Sequence, residues 1–91
     1  MPRVTLTAEQ RRAARIADGN EALRVGLAMS LAKTGTTQRH IADRLGVPEA
    51  RISKVKRDPG SMSLDFFRDF VREADLGDAA IVAIVRGKKL T

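Results

Sequence analysis

A single all-α domain of five helices is what this 91-residue chain predicts, and two observations predict it. Apolar residues recur at three- and four-residue spacing, as in Ala22, Leu23, Leu27 and Leu31 or in Leu64, Phe67, Phe70 and Val71. The segments that carry this spacing open on Thr, Asn, Ser or Asp, residues suited to capping free N–H groups, and several close on glycine. The length allows one modest core, with a stability of only a few kcal/mol.

The elements follow in order. Val4 and Leu6 alternate beside Arg3, so residues 1–6 read as a flexible arm, disordered or laid against a neighbouring subunit. Thr7 opens a helix whose third residue, Gln10, can reach back to complete a capping box. Residues 8–17 are good helix formers with Arg11, Arg12 and Arg15 along one side, either solvated or lying along phosphate. Asp18-Gly19-Asn20 kinks this helix or divides it in two, and in the second case Asn20 caps the new helix. Residues 21–33 form an amphipathic helix through Ala22, Leu23, Leu27, Leu31 and Ala32, with Met29 as core filler and Gly35 as the C-terminal cap.

Residues 38–57 hold the part of the chain around which the rest is arranged. Thr37 caps a helix over 38–45, and Gly46 stands at the corner that follows, where closing a helix calls for positive φ. Ala42 is small, so a second helix can approach; Pro48 suits that helix's first turn, and it runs to about Arg57. Ile41, Leu45, Val47, Ile52 and Val55 give both helices one apolar face. Glu49, Ala50, Arg51, Ser53, Lys54, Lys56 and Arg57 remain for the outside.

Asp58-Pro59-Gly60 is a turn, and Ser63 caps a helix over residues 64–74 that carries all three phenylalanines, Phe66, Phe67 and Phe70, as core bulk. Leu76-Gly77-Asp78 breaks the pattern. Asp78 caps a last helix over 79–86, where three alanines outweigh the strand preference of Ile81, Val82, Ile84 and Val85, and Gly87 closes it before a short basic tail of Lys88 and Lys89. Those four aliphatics exceed what a terminal helix needs for a small core, so they serve either the core or contact with a second subunit or partner.

Charge is distributed unevenly. Residues 1–32 carry five Arg against Glu9, Asp18 and Glu21, net +2; residues 33–57 carry seven Lys or Arg against Asp43 and Glu49, net +5; residues 58–91 carry five against six, net −1. The excess within 33–57 favours a polyanion docking there, with a solvated basic face as the alternative. The chain has no cysteine, which removes disulfide and thiolate metal chemistry. Its longest apolar run, residues 79–85, falls far short of the roughly 20 residues that cross a bilayer, and no secretory core follows Pro2 and Arg3, so a cytoplasmic location is expected. No nucleophile–base pair, carboxylate pair or phosphate-cradling glycine loop is present, so no enzyme is expected, and no cofactor or small-molecule ligand. His40, the single histidine, has no ligand-spaced companion; it reads as a phosphate neighbour or a surface residue.

Thr37, Gln38, Ala42, Gly46, Val47, Ile52 and Ser53, followed by Ser63-Leu64 and apolar Phe67 and Phe70, resemble the lambda-repressor-like (Cro/Xre type) helix-turn-helix family over residues 22–76. The resemblance implies that Gln38 braces a DNA phosphate, that the second helix of the pair enters the major groove, and that Glu49, Ala50, Arg51 and Lys54 meet bases. Two features depart from that family. Glu49 and Ala50 replace the amide or hydroxyl residues common there, and residues 58–62 lack its glutamate-bearing turn.

By chemistry, Arg51 can give paired donors to guanine, Lys54 a point charge to guanine or phosphate, and Ala50 a methyl contact to thymine. Glu49 either accepts from cytosine N4 or only favours the helix N-terminus. Thr37, Gln38, Arg39, His40, Ser53, Lys56 and Arg57 are the phosphate candidates. Together these imply a DNA-binding regulator, a phage or bacterial repressor that reads a palindromic operator as a homodimer. The alternatives are an antitoxin-type autorepressor with a toxin partner, and a helical adaptor whose basic face is merely solvated.

Overall fold

The computed structural model describes residues 6–90, so the arm reading of residues 1–6 lies outside it except at Leu6, which is exposed. The domain is all-α. Five helices follow one another as α1 (Ala8–Thr34), α2 (Gln38–Leu45), α3 (Glu49–Arg57), α4 (Leu64–Glu73) and α5 (Asp78–Arg86), with a 3-10 turn at Pro59–Ser61. No strand occurs among the described residues, including 81–85. No helix among them is long and apolar enough to cross a membrane.

α1 is a single helix of 27 residues, roughly 40 Å long at 1.5 Å per residue. Thr7 and Gln10 form the capping box at its start, each side chain bonded to the other's backbone N–H at 3.1 and 2.8 Å. Gly35 closes it with positive φ. Gly19 does not break this helix, and Asn20 is an interior residue rather than a cap. Gly19 is buried because the end of α5 lies against it: a Cβ there would sit 3.1 Å from the Ile84 carbonyl oxygen and 3.3 Å from the Gly87 Cα. Gly26, two turns on, meets α5 the same way, its absent Cβ falling 2.8 Å from the Ala80 Cβ. The glycine that resembles a breaker is a crossing point.

The core gathers Leu23 and Leu27 of α1, Ile41 and Ala42 of α2, Ile52 and Val55 of α3, Phe70 of α4, and Ala74 and Leu76 just after it. Leu31, Leu45, Val47, Phe66, Val71, Ile81 and Ile84 pack on this set, half-buried. Met29 is not core filler. Two residues beyond Leu27 on a helix, it turns away from the Leu23–Leu27 stripe and is 61% exposed. Leu64 likewise departs from the expected apolar face, standing in the first turn of α4 and 62% exposed.

The corner between α2 and α3 closes on Gly46 at φ 70°, where the Gly46 N–H donates to Asp43 and the Val47 N–H to Ala42. Pro48 precedes the first turn of α3 as its N-cap instead of lying within it. Ser63 caps α4 through the Phe66 N–H. At α5 the cap is Gly77; Asp78 is the first helical residue, and no side chain takes the cap hydrogen bond. The end of α4 is held from α1: the buried Ser30 hydroxyl donates to the carbonyls of Ala74 and Asp75.

Candidate nucleic-acid interface

α3 owes its orientation to two buried side chains, Ile52 and Val55, both with no exposed surface. With that face inward, Glu49, Ala50, Ser53, Lys54 and Arg57 are exposed along the outer side, as a 3.6-residue period requires. Arg51 and Lys56 flank the buried face and are half-buried.

These two flanking residues differ in what holds them. The Arg51 guanidinium lies over the Phe66 ring of α4, its Cζ 4.7 Å from the centroid, a cation–π contact worth about 0.5–1 kcal/mol at a partly exposed site. Among the described residues no hydrogen bond or ion pair engages its N–H groups. The Lys56 ammonium donates to the Gln38 Oε1 at 2.7 Å, which joins the end of α3 to the start of α2. Arg24 of α1 adds a second tie, its Nη1 donating to the Lys56 carbonyl at 2.9 Å. A cation at the carbonyl end of α3 also opposes that helix's dipole. Sequence reading missed Arg24, since nothing in its spacing reveals a partner 32 residues away.

Around this junction stand the other candidates. The Thr37 hydroxyl accepts from the His40 N–H at 3.2 Å, so α2 begins with its free N–H groups beside Gln38, Arg39 and His40, and Arg39 and His40 are both exposed. Gln38, Lys56, Thr37, Arg39 and His40 thus form one edge. Glu49, Ala50 and Arg51 lie at the other end of α3, with Ser53, Lys54 and Arg57 following along the outer face toward its last turn.

The salt bridges among the described residues all belong to α4: Arg68 with Asp65, and Arg72 with Asp69 and Glu73. The cations of α2 and α3 take no carboxylate partner among those residues, so their charge is available to an outside anion. No three His, Asp or Glu side chains converge among them to hold a metal ion.

The expected subunit contact on α5 separates into two pairs. Ile81 and Ile84 turn inward onto the core, while Val82 and Val85 face out, 49% and 69% exposed. α5 meets α1 at Ala80, against Gly26, and at the Ile84 carbonyl and Gly87, against Gly19, because the two glycines bring the backbones too close for larger residues. Comparison with protein-family models, curated proteins and solved structures finds no match to this chain.

Proposed function

We propose that the chain is a sequence-specific DNA-binding regulator of the lambda-repressor-like kind, acting in the cytoplasm as a repressor by binding rather than by catalysis. The observation that carries this reading is the outward face of α3 and the adjoining start of α2: exposed cations without internal carboxylate partners, on a segment of net charge +5. In this reading α3 lies in the major groove. Arg51, Lys54, Ala50 and Glu49 meet base edges; Gln38, Lys56, Thr37, Arg39, His40, Ser53 and Arg57 hold the flanking phosphates.

The Arg51–Phe66 stack supports its part. A guanidinium held over a ring loses less freedom on presenting paired donors than one on a free chain. Two copies would occupy successive turns of an imperfect palindrome, half-sites about 34–36 Å apart, with the exposed Val82 side of α5 as the copy-to-copy contact.

Selecting bound duplexes from a random pool tests the reading. The expected product is a half-site repeated with two-fold symmetry, bound with an affinity that falls steeply as salt rises. Enrichment of no sequence, or binding indifferent to salt, would favour the adaptor instead.

A further inference from the structure

Beyond the C-terminal end of α3, an open groove of about 600 Å³ runs between the N-terminal half of α1, the turn at residues 58–60, the start of α4 and the end of α5. Three of the large apolar side chains left exposed in this domain converge on it from those three helices: Ile16 at 50%, Leu64 at 62% and Val85 at 69%. Half-buried Phe67 lies between them. The same groove is bordered by Arg12, Arg15 and Arg86 against a single carboxylate, Asp58. We propose that it docks an acidic amphipathic helix from another protein, whose apolar anchors fill the groove and whose carboxylates meet the arginines.

The charge balance selects this occupant. Apolar anchors at i, i+3, i+4 and i+7 are how a helix fills such a channel, and three cations to one anion call for flanking Glu or Asp. A second copy of this chain fits poorly. Its one acidic helical face, on α4, already pairs Asp65 and Asp69 with Arg68 and Arg72, and two copies each of formal charge +6 would bring arginine against arginine. The N-terminal part of α1 also wants a cover. Residues 8–17 are exposed throughout, and a helical extension of that length gains little from propensity alone.

The test uses two synthetic helices, one with leucines at i, i+3, i+4 and i+7 flanked by glutamates, the other with every glutamate replaced by lysine, titrated into the full chain. The acidic peptide is expected to bind about tenfold or more tighter than the basic one. Ile16→Glu should remove that binding with helical content unchanged, and the pair Arg12→Glu, Arg15→Glu should reverse the preference toward the lysine peptide. The pair Lys54→Ala, Arg57→Ala should leave peptide binding as it was, while Ile16→Glu leaves duplex binding as it was, so this site and the DNA-reading face fail separately.

Equal affinity for both peptides, no binding of either, or loss through Lys54 and Arg57 overturns the proposal. So does self-association that Ile16→Glu dissolves, since a second copy would then be the occupant, and so does duplex binding that Ile16→Glu weakens. Contact between copies through α5 is distinguished by Val82→Glu, which should leave the peptide bound.

Discussion

Where α2 crosses α3, Ile41, Ile52 and Val55 fill the space between helices; where α1 runs against α5, Gly19 and Gly26 empty it. The first contact is made by side chains and leaves the outward surface free to carry charge, since every outward residue is spared from packing. The second is made by backbones and alanines, which sends the larger aliphatics of α5 elsewhere: Ile81 and Ile84 to the core, Val82 and Val85 to the surface. A contact built of large residues is damaged by removing atoms, and one built of glycine by adding them. One chain therefore presents two surfaces of different character, a cationic one over the corner and an apolar one near the seam.

The sharpest way to break that contrast is to exchange the two kinds of change. Ile52→Ala should cost about 2–5 kcal/mol through the cavity it leaves, measured by urea denaturation. Gly26→Leu should cost about 1–3 kcal/mol, because the added Cβ alone lies 2.8 Å from the Ala80 Cβ and α5 must move away. If Gly26→Leu were neutral, the α1–α5 seam would not be set by backbone approach.

The helix ends sharpen the comparison further. Gly46 at the corner and Gly87 at the seam share a left-handed conformation, φ 70° and 68°. A Cβ at Gly46 meets nothing within 4 Å, so Gly46→Ala should cost only the conformational penalty, roughly 1–2 kcal/mol. At Gly87 the same Cβ would fall 2.7 Å from both the Arg15 Cβ and its carbonyl oxygen, so Gly87→Ala should cost measurably more. Equal losses in thermal melting would mean that Arg15 yields freely.

The corner was far more legible in the sequence than the seam. Thr37, Ala42, Gly46, Ile52 and Val55 each act over a few residues, and local spacing reports such roles directly. Gly19 left one helix or two open because a glycine inside a helical pattern carries the same local signal whether it ends the helix or admits a neighbour; the deciding partner, Gly87, is 68 residues away. Met29 and Leu64 were misplaced for a related reason. Their apolar character was visible, but the angular edge of each buried stripe depends on which helix lies opposite. At the candidate interface, the outward set on α3 followed from its buried pair, whereas the Phe66 stack, the Gln38–Lys56 bond and the Arg24 tie are tertiary and left no local trace.

On the face proposed to read DNA, Arg51→Ala separates two contributions. Losing the stack on Phe66 should destabilise the fold by about 0.5–1 kcal/mol, while losing paired donors to a base should cost about 1–3 kcal/mol of binding and relax preference at one base position. Lys56→Ala should weaken all duplexes alike, reducing the slope of log affinity against log salt by about one ion. A uniform loss for Arg51→Ala as well would make its role a phosphate contact, and the base-reading assignment would pass to Lys54.

The smallest expected effect concerns the end of α4, where a residue other than glycine takes the conformation that glycine takes at both Gly46 and Gly87. Asp75 has φ 53°, its N–H donating to Arg72 and the next N–H, of Leu76, to Val71. Two costs bear on it: the left-handed backbone, which aspartate tolerates better than most residues, and a negative charge beside the carbonyl end of a helix. Asp75→Gly removes both but adds freedom to the unfolded chain, so a net gain of roughly 0.5 kcal/mol is expected. Asp75→Asn removes only the charge and should recover part of that gain. Because the charge component is screened by salt and the backbone component is not, comparing both variants at low and high ionic strength apportions the two, and a loss of stability in Asp75→Gly would show that the carboxylate makes a favourable contact there.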